Sequence, residues 1–179
     1  MDILHTQRLT LRPWTAEDAQ DMYEYAKDPS VGPMAGWKPH SDIEETRRIL
    51  EHFIVDNDVW AVVLRDTGKV IGSLGLHGDG KRPDIPGVKM LGYVLSPAYW
   101  GKGYMTEAVM GALRYAFEDL RLDMVSVYHY PHNSRSRRVI EKCGFVCEGT
   151  LRRGSKIYDQ TVYDDVMYSM TREEYLAKG

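Results

Sequence analysis

The sequence predicts a mixed α/β domain, and three observations support this prediction. Short runs rich in β-branched and aromatic residues alternate with longer segments in which apolar residues recur every three or four positions. The chain has 179 residues, a length typical of one domain with its own core. No internal repeat, linker or low-complexity segment interrupts it. We therefore expect a single domain over residues 1–179.

The N-terminal part predicts one strand followed by two helices. Apolar and polar residues alternate from Leu4 to Arg12, which indicates the strand. Thr15 and Asp18 form a capping box for the first helix. A segment broken by glycine and proline follows, and a second capping box, Ser41 with Glu44, indicates the start of the next helix.

The middle of the chain predicts a hairpin, a central strand and a long helix. Residues 60–64 and 70–76 have strand composition, and the intervening Asp-Thr-Gly-Lys is typical of a hairpin turn. An apolar strand is expected over Val88–Leu95. The apolar face that begins after Gly103 predicts a helix to about Leu120.

The C-terminal part predicts three more strands and a short helix. A strand over 124–130 leads to a helix capped by Asn133 and ending at Cys143-Gly144. Two closing strands, 145–153 and about 161–170, are expected to flank a turn at Gly154. A final helical turn follows them.

The composition excludes several classes of protein. Charged residues make up 27% of the chain and the net charge is −3, which argues against a partner bound through bulk charge, such as a nucleic acid. Cys143 and Cys147 are too few for a zinc quartet, and we expect two small buried thiols, with a disulfide between them as the alternative. The N-terminus lacks the features of a signal peptide, and no apolar run is long enough to span a membrane. We expect a cytoplasmic protein without a bound metal.

A glycine turn after the central strand predicts a site for phosphate. Gly101 and Gly103 stand between this strand and the long helix. Glycine allows backbone amides to approach a ligand closely, and the first turn of a helix offers unpaired N–H groups to an anion. A Gly-x-Gly pair also occurs in ordinary turns, so the surrounding residues must decide.

Those residues resemble a known family. Trp100-Gly-Lys-Gly-Tyr-Met105 is similar to the acetyl-CoA-binding motif of the GCN5-related N-acetyltransferases (GNAT), Gln/Arg-x-x-Gly-x-Gly/Ala, although its first and last positions depart from the consensus. The longer run Trp-Gly-Lys-Gly-Tyr-x-Thr-Glu-Ala resembles the branch that acetylates ribosomal-protein N-termini, the RimJ/RimL-like enzymes. The block from Asn133 to Phe145 and the opening Thr6–Arg12 resemble the same branch, so the likeness covers nearly the whole chain.

The resemblance implies a fold and a set of ligand contacts. The family fold is a mostly antiparallel mixed sheet of six to seven strands, splayed at a parallel pair and flanked by about four helices. Backbone groups of Leu95 would bind the pantetheine arm of acetyl-CoA and stabilise an oxyanion, with Asn133 on the other side of the arm. A basic face on the following helix would lie near the adenosine phosphates, formed by Arg135, Arg137, Arg138 and Lys142. The pyrophosphate would be held by the segment Gly101, Lys102, Gly103, Tyr104, Met105 and Thr106.

The implied reaction is direct attack of an amine on the thioester. Ser136 is the expected proton donor to the leaving thiolate, with Tyr93 and Tyr104 as other hydroxyls. Relatives often have a glutamate as the base where this chain has Met90. The base therefore stays open, and the neighbouring strands offer three alternatives, His77, Asp164 and Asp165.

The acceptor is expected to be a primary amine near Trp37 and Tyr93, although Trp37 also fits a role in packing its own loop. The resemblance favours the N-terminal α-amine of a protein or peptide. A small amine, such as a polyamine, an amino acid or an aminoglycoside, is the alternative. A CoA-binding sensor without turnover is a further possibility, and a homodimer could form through the closing strands.

Overall fold

The computed structural model describes residues 1–178, in which one sheet of eight strands is flanked by five α-helices. The spatial order of the strands is β1-β2-β3-β4-β5-β6-β8-β7. No helix in residues 1–178 is long and apolar enough to cross a membrane. The elements are β1 (Leu4–His5), β2 (Leu9–Arg12), α1 (Ala19–Ala26), α2 (Ile43–Asp56), β3 (Val59–Leu64), β4 (Val70–Gly78), β5 (Val88–Leu95), α3 (Tyr104–Arg114), β6 (Met124–His129), α4 (Ser134–Lys142), β7 (Val146–Lys156), β8 (Val162–Thr171) and α5 (Arg172–Leu176).

Strands β5 and β6 form the one parallel pair in the described part of the sheet, and they separate along their length. Val88, Lys89 and Met90 pair with residues 124–126, and the pairing stops there. Strand β6 continues to His129 but pairs only with β8 beyond this point. The predicted mixed sheet with a splayed parallel pair is confirmed. A gap therefore opens in the middle of the sheet.

Two apolar cores lie on opposite faces of the sheet. One is formed with α3 and α4 and contains Trp60, Phe117 and Ile140, all at most 1% exposed. The other is formed with α1 and α2 and contains Tyr25 and Leu50. Helix α3 continues as a π-helical turn over Tyr115–Asp119, so the predicted long helix is confirmed. The gap between β5 and β6 can thus be reached from both faces.

The predicted first strand is two strands, which raises the strand count above the expected six to seven. The chain turns back between His5 and Leu9, where Thr6 N donates to Leu9 O at 2.9 Å. The turn is held from a distance, because Thr6 Oγ1 donates to Glu107 Oε1 at 2.6 Å and Arg8 N donates to the same oxygen at 2.7 Å. Strand alternation alone could not reveal a partner about a hundred residues away. The fifth helix is the short α5, which was expected as one helical turn.

The turn between the closing strands does not lie at Gly154, as predicted. Strand β7 runs on to Lys156, and the turn spans 157–161, where Ile157 N donates to Thr161 O at 2.9 Å. Gly154 has another role, because a Cβ there would collide with the buried carboxylate of Asp165. This glycine provides space for a neighbouring side chain rather than a change of chain direction.

Two smaller predictions also need correction. Asp42, not Ser41, caps α2, since its carboxylate accepts a hydrogen bond from Glu45 N at 2.8 Å. Both cysteines are free thiols as expected, but only Cys143 is buried. Cys147 is exposed because β7 is the outermost strand of the sheet and no described element covers it.

We expect the substitution Glu107→Gln to destabilise the fold by about 1.5–3 kcal/mol at neutral pH, the range for hydrogen bonds to a charged group. Burial raises the pKa of Glu107, but hydrogen bonds from Thr6 and Arg8 outweigh burial, and the net effect lowers its pKa. A lowered pKa contributes stability above the unfolded value, about 4.3, and this contribution is lost as the pH falls through the folded value.

Chemical denaturation between pH 7 and pH 3 would test this prediction. The difference in unfolding free energy between wild type and Glu107→Gln should be largest at neutral pH and shrink below about pH 4. Glu141→Gln is the control, because it removes the exposed Arg137–Glu141 ion pair and should cost less than about 0.5 kcal/mol. A pH-independent difference would contradict the assignment.

Candidate active site

The open edge of β5 forms the centre of the candidate site. Ser96 N donates to Ile71 O on β4 at 2.8 Å, which sets the direction of the hydrogen-bonding groups along the strand. Because these directions alternate in an antiparallel pair, every second residue of β5 directs its N–H and C=O toward the gap. Those residues are Leu91, Tyr93 and Leu95. Trp100 Nε1 already donates to Leu95 O at 2.8 Å, and the Leu95 N–H is left for a ligand.

A cavity of about 920 Å³ passes through this gap, a size typical of small-molecule sites. It joins the glycine turn on one side of the sheet to a chamber under α1 and α2 on the other side. Ten residues predicted to bind the cofactor or the acceptor line it, and Lys102 does not: Trp37, Tyr93, Leu95, Gly101, Gly103, Tyr104, Met105, Thr106, Asn133 and Ser136.

The glycine turn has the geometry of an anion site. Gly101 and Gly103 have φ values of 75° and 79°, in the left-handed region that favours glycine. The first hydrogen bond of α3 runs from Glu107 N to Gly103 O at 3.0 Å, so the amides before Glu107 have no partner within the helix. These amides and the positive end of the helix dipole favour phosphate at this position.

Arg8 fastens this turn to the N-terminal hairpin, a contact that the sequence analysis missed. Its guanidinium donates to Glu107 Oε2 at 2.7 Å and to Lys102 O at 3.0 Å, and it lies 4.3 Å from the centre of the Tyr104 ring. The Lys102 side chain turns away from the cavity and donates to Ala98 O at 3.0 Å. Lys102 therefore contributes its backbone to the turn and not its charge.

The N-terminus of α4 brings three predicted polar groups together across the gap. Asn133 Oδ1 accepts from Ser136 N at 3.1 Å and caps the helix, while its Nδ2 donates to Met34 O at 3.4 Å. Ser136 Oγ lies 2.9 Å from the Tyr93 hydroxyl. Burial raises the pKa of Tyr93, so this hydroxyl stays protonated at neutral pH. Tyr93 packs on the α3–α4 face, where its hydroxyl meets Ser136, whereas Trp37 packs on the α1–α2 face, and both line the cavity.

On the predicted basic face of α4, Arg135, Arg138 and Lys142 line the cavity and Arg137 does not. Arg135 packs on the Trp100 ring at 3.9 Å from its centre, and Arg137 pairs with Glu141 at 2.8 Å. Arg138 and Lys142 line the cavity on the same side as the glycine turn. Their charges can balance phosphate groups bound there.

Trp37 packs within its own loop and also lines the cavity. Its ring lies over Gly32, where a Cβ would come within 2.5 Å, and its centre is 5.3 Å from the His40 ring. The same side chain forms a wall of the chamber under α1 and α2. Met34, Ile49 and Phe53 give the chamber a mainly apolar lining.

The three suggested bases lie in different environments. Asp165 is fully buried and bound to Lys81 at 2.8 Å and to Ser155 at 2.9 Å. Asp164 accepts from Arg153 N at 2.7 Å on the outer strands. Only His77 of the three lines the cavity, and its register partner on β5 is Met90.

The donor set suits acetyl-CoA as a ligand. Free amides and two basic side chains occupy the end of the cavity that a pyrophosphate would need, and the open β5 edge offers hydrogen bonds to the amides of a pantetheine arm. A thioester held at the gap would supply an activated acetyl group.

Comparison with known proteins agrees with this arrangement. Residues 8–146 match the family model described as the acetyltransferase (GNAT) domain. An uncharacterized N-acetyltransferase, p20 of Bacillus licheniformis, is 30% identical over 98% of this chain and 99% of its own length. YdaF of Bacillus subtilis (strain 168), named as a candidate ribosomal N-acetyltransferase, is 32% identical over 66% of this chain and 62% of its own length.

A solved structure supports the fold independently. The acetyltransferase (GNAT family) from Bacillus anthracis superposes with a TM-score of 0.86 at 24% identity, covering 97% of this chain and 100% of that chain. The matched family model includes the glycine turn, the open strand edge and the first residues after α4. The chain belongs to the GNAT family of N-acetyltransferases.

Proposed function

We propose that the chain transfers the acetyl group of acetyl-CoA to the N-terminal α-amine of a protein or peptide. The observation that carries this choice is the shortage of carboxylates around the acceptor chamber. Glu45 is the only acidic residue among the described residues lining the cavity. It is also engaged, because Ser41 N and Ser41 Oγ donate to its carboxylate at 2.6 and 2.8 Å.

This charge pattern disfavours polycationic acceptors. A polyamine or an aminoglycoside brings several positive charges, and each would lose hydration without gaining a partner in the apolar chamber. An N-terminal residue brings a single amine, which must become neutral before it reacts. The RimJ/RimL-like motif and the name of the relative YdaF point to the same acceptor class.

The basicity of the acceptor also favours an α-amine. An α-amino group has a reference pKa of about 8, whereas that of a lysine side chain is about 10.4. Near neutral pH a much larger share of the α-amine is neutral, so a weaker base suffices for the reaction. This suits a chain in which the strand position typical of a glutamate is Met90.

Each part of the cavity then has one role. The amides of residues 101–105, the Thr106 hydroxyl, Arg138 and Lys142 hold the phosphates. The Leu95 N–H faces the thioester oxygen and stabilises the charge that develops on it. Asn133 binds the pantetheine arm from the α4 side. Ser136, backed by the protonated Tyr93, donates a proton to the departing sulfur.

Three expectations of the sequence stay predictions: a single domain over residues 1–179, a cytoplasmic location, and a homodimer through the closing strands. Strand β7 is an edge strand with an exposed Leu151, and pairing with a second copy would cover both the strand edge and this side chain. A small apolar amine is the second candidate acceptor, because the chamber walls are apolar.

The direct test measures CoA thiol release from acetyl-CoA with two acceptor panels, peptides that differ at the N-terminal residue and small amines. We expect release that depends on peptides with a free α-amine and is absent with N-terminally blocked peptides. Polyamines should be poor acceptors. Release with small amines alone would overturn the choice of acceptor. Binding of acetyl-CoA without CoA release for any acceptor would favour the alternative of a CoA-binding sensor without turnover.

We expect Ser136→Ala to lower kcat on the order of 10²-fold while the Kd for acetyl-CoA stays within about twofold, because a proton donor acts mainly in the transition state. Ser134→Ala is the matched control, since Ser134 is an exposed residue two positions earlier on α4. Steady-state kinetics and calorimetric binding would measure both quantities. Unchanged turnover in Ser136→Ala would remove Ser136 from the mechanism.

We expect Gly101→Ala to weaken acetyl-CoA binding about tenfold. No atom lies within 4 Å of an added Cβ, so the effect comes from the left-handed backbone, which costs alanine about 1–2 kcal/mol. Gly80→Ala is the control, because it also has open space around the Cβ position but no positive φ. Equal affinities for the two variants would show that the turn does not hold the phosphates.

A further inference from the structure

A histidine takes the place opposite the missing acidic residue. Met90 on β5 carries no group that can accept a proton, and its partner across the β4–β5 ladder is His77. Directly paired residues lie on the same face of a sheet. This is the face of α1 and α2, which the acceptor chamber also occupies. His77 therefore stands beside the acceptor side of the gap.

Asp58 orients the imidazole of His77. Its Oδ2 lies 2.9 Å from Nδ1 of the ring. Asp58 is itself attached to β4, because its carbonyl oxygen accepts a hydrogen bond from Leu76 N at 3.2 Å. A carboxylate at Nδ1 places the ring proton there and leaves Nε2 as a hydrogen-bond acceptor.

Two glycines give the ring its position. Gly75 and Gly92 face each other across the β4–β5 ladder, two residues along each strand from the pair of His77 and Met90. A Cβ on Gly75 would come within 2.6 Å of His77 Nε2, and a Cβ on Gly92 would lie 3.6 Å from the same atom. Nε2 of His77 therefore occupies the space that side chains at Gly75 and Gly92 would fill. His77, Gly75 and Gly92 all line the cavity.

We propose that His77 is the general base that activates the acceptor amine, with Asp58 as its positioning residue. This inference rests on the proposed function. Nε2 takes a proton from the ammonium group through a water relay, because Nε2 lies beside Gly92, three residues along β5 from Leu95. The freed lone pair forms the bond to the thioester carbon. The carbon–sulfur bond breaks, and the sulfur leaves with its electron pair and takes a proton from Ser136. Nε2 returns its proton to water, and the second proton of the new amide nitrogen passes through water to Ser136, which restores its hydroxyl.

Three other titratable groups are less suitable. Glu45 is held by Ser41 at the start of α2, and Asp165 is closed off by Lys81 and Ser155. His40 is buried and bound to Thr46 Oγ1 at 2.8 Å, and burial lowers its pKa. His77 alone combines a place on the strand beside the gap with a carboxylate partner.

The first experiment compares His77→Gln with His52→Gln, the latter a control on the exposed side of α2. The acceptor is a peptide that the wild type turns over. We expect His77→Gln to lose about 10²-fold in kcat with an unchanged Kd for acetyl-CoA. Asp58→Asn should lose about tenfold, because it keeps the shape but not the charge. Turnover of His77→Gln equal to that of His52→Gln would overturn the proposal.

The second experiment separates a base from a structural role. The same peptide is prepared with an aminooxyacetyl group at its N-terminus, whose amine is far less basic and already neutral at pH 7. The loss caused by His77→Gln should shrink to a few-fold with this acceptor, because no proton needs to be removed before attack. An equal loss with both acceptors would mean that His77 only shapes the site.

These outcomes separate the two proposals. If none of the peptides supports CoA release by the wild type, the proposed peptide acceptor is wrong. The variants His77→Gln and His52→Gln are then compared with a small amine that does support release. If the wild type turns over peptides and His77→Gln does so equally well, the function stands and the base is wrong. If no acceptor of any class supports release, both proposals fail.

Discussion

The separation of β5 from β6 after Met90 is the constraint on which the rest of the site depends. Backbone groups of a buried sheet normally bond to the neighbouring strand, and unpaired ones are costly away from water. Here Tyr93 and Leu95 direct such groups into a gap instead. An extended ligand with amide groups satisfies them as a strand would. The same gap joins the two faces of the sheet, so a donor and an acceptor can meet from opposite sides.

The donor side is stabilised by a contact between distant parts of the chain. Glu107 lies in the first turn of α3, where a negative charge is favourable, and it binds both Thr6 and Arg8. Arg8 in turn holds the carbonyl of Lys102. Two glycines would leave the turn flexible on their own. The N-terminal hairpin supplies the rigidity, so its role extends beyond completing the sheet.

The acceptor side has a different character. Its walls are mainly aromatic and aliphatic, and the polar side chains of Glu45 and His40 are each held by a neighbour. In such surroundings a histidine with a carboxylate behind it can accept a proton without bringing an uncompensated charge into the chamber. The pairing of His77 with Met90 and the glycine pair beside them give the imidazole its place. The proposed base and the acceptor chamber thus lie on the same face of the sheet.

The sequence by itself determined the order of elements, the glycine turn, the Asn133 cap and the family. These features depend on local patterns, because helix periodicity, capping residues and glycine conformation are properties of short segments. The Gly101–Gly103 turn and the α4 start therefore lie where the motifs predicted.

Only the tertiary structure decided which residues meet. The division of the first strand into a hairpin, the hold of Arg8 on the turn, and the Asp58–His77 pair all join residues that are distant along the chain. Gly154 was misread for the same reason, since its neighbour Asp165 is contributed by another strand. Strand pairing and register are set by the packing of the whole sheet, so they cannot be predicted from the pattern of a short segment.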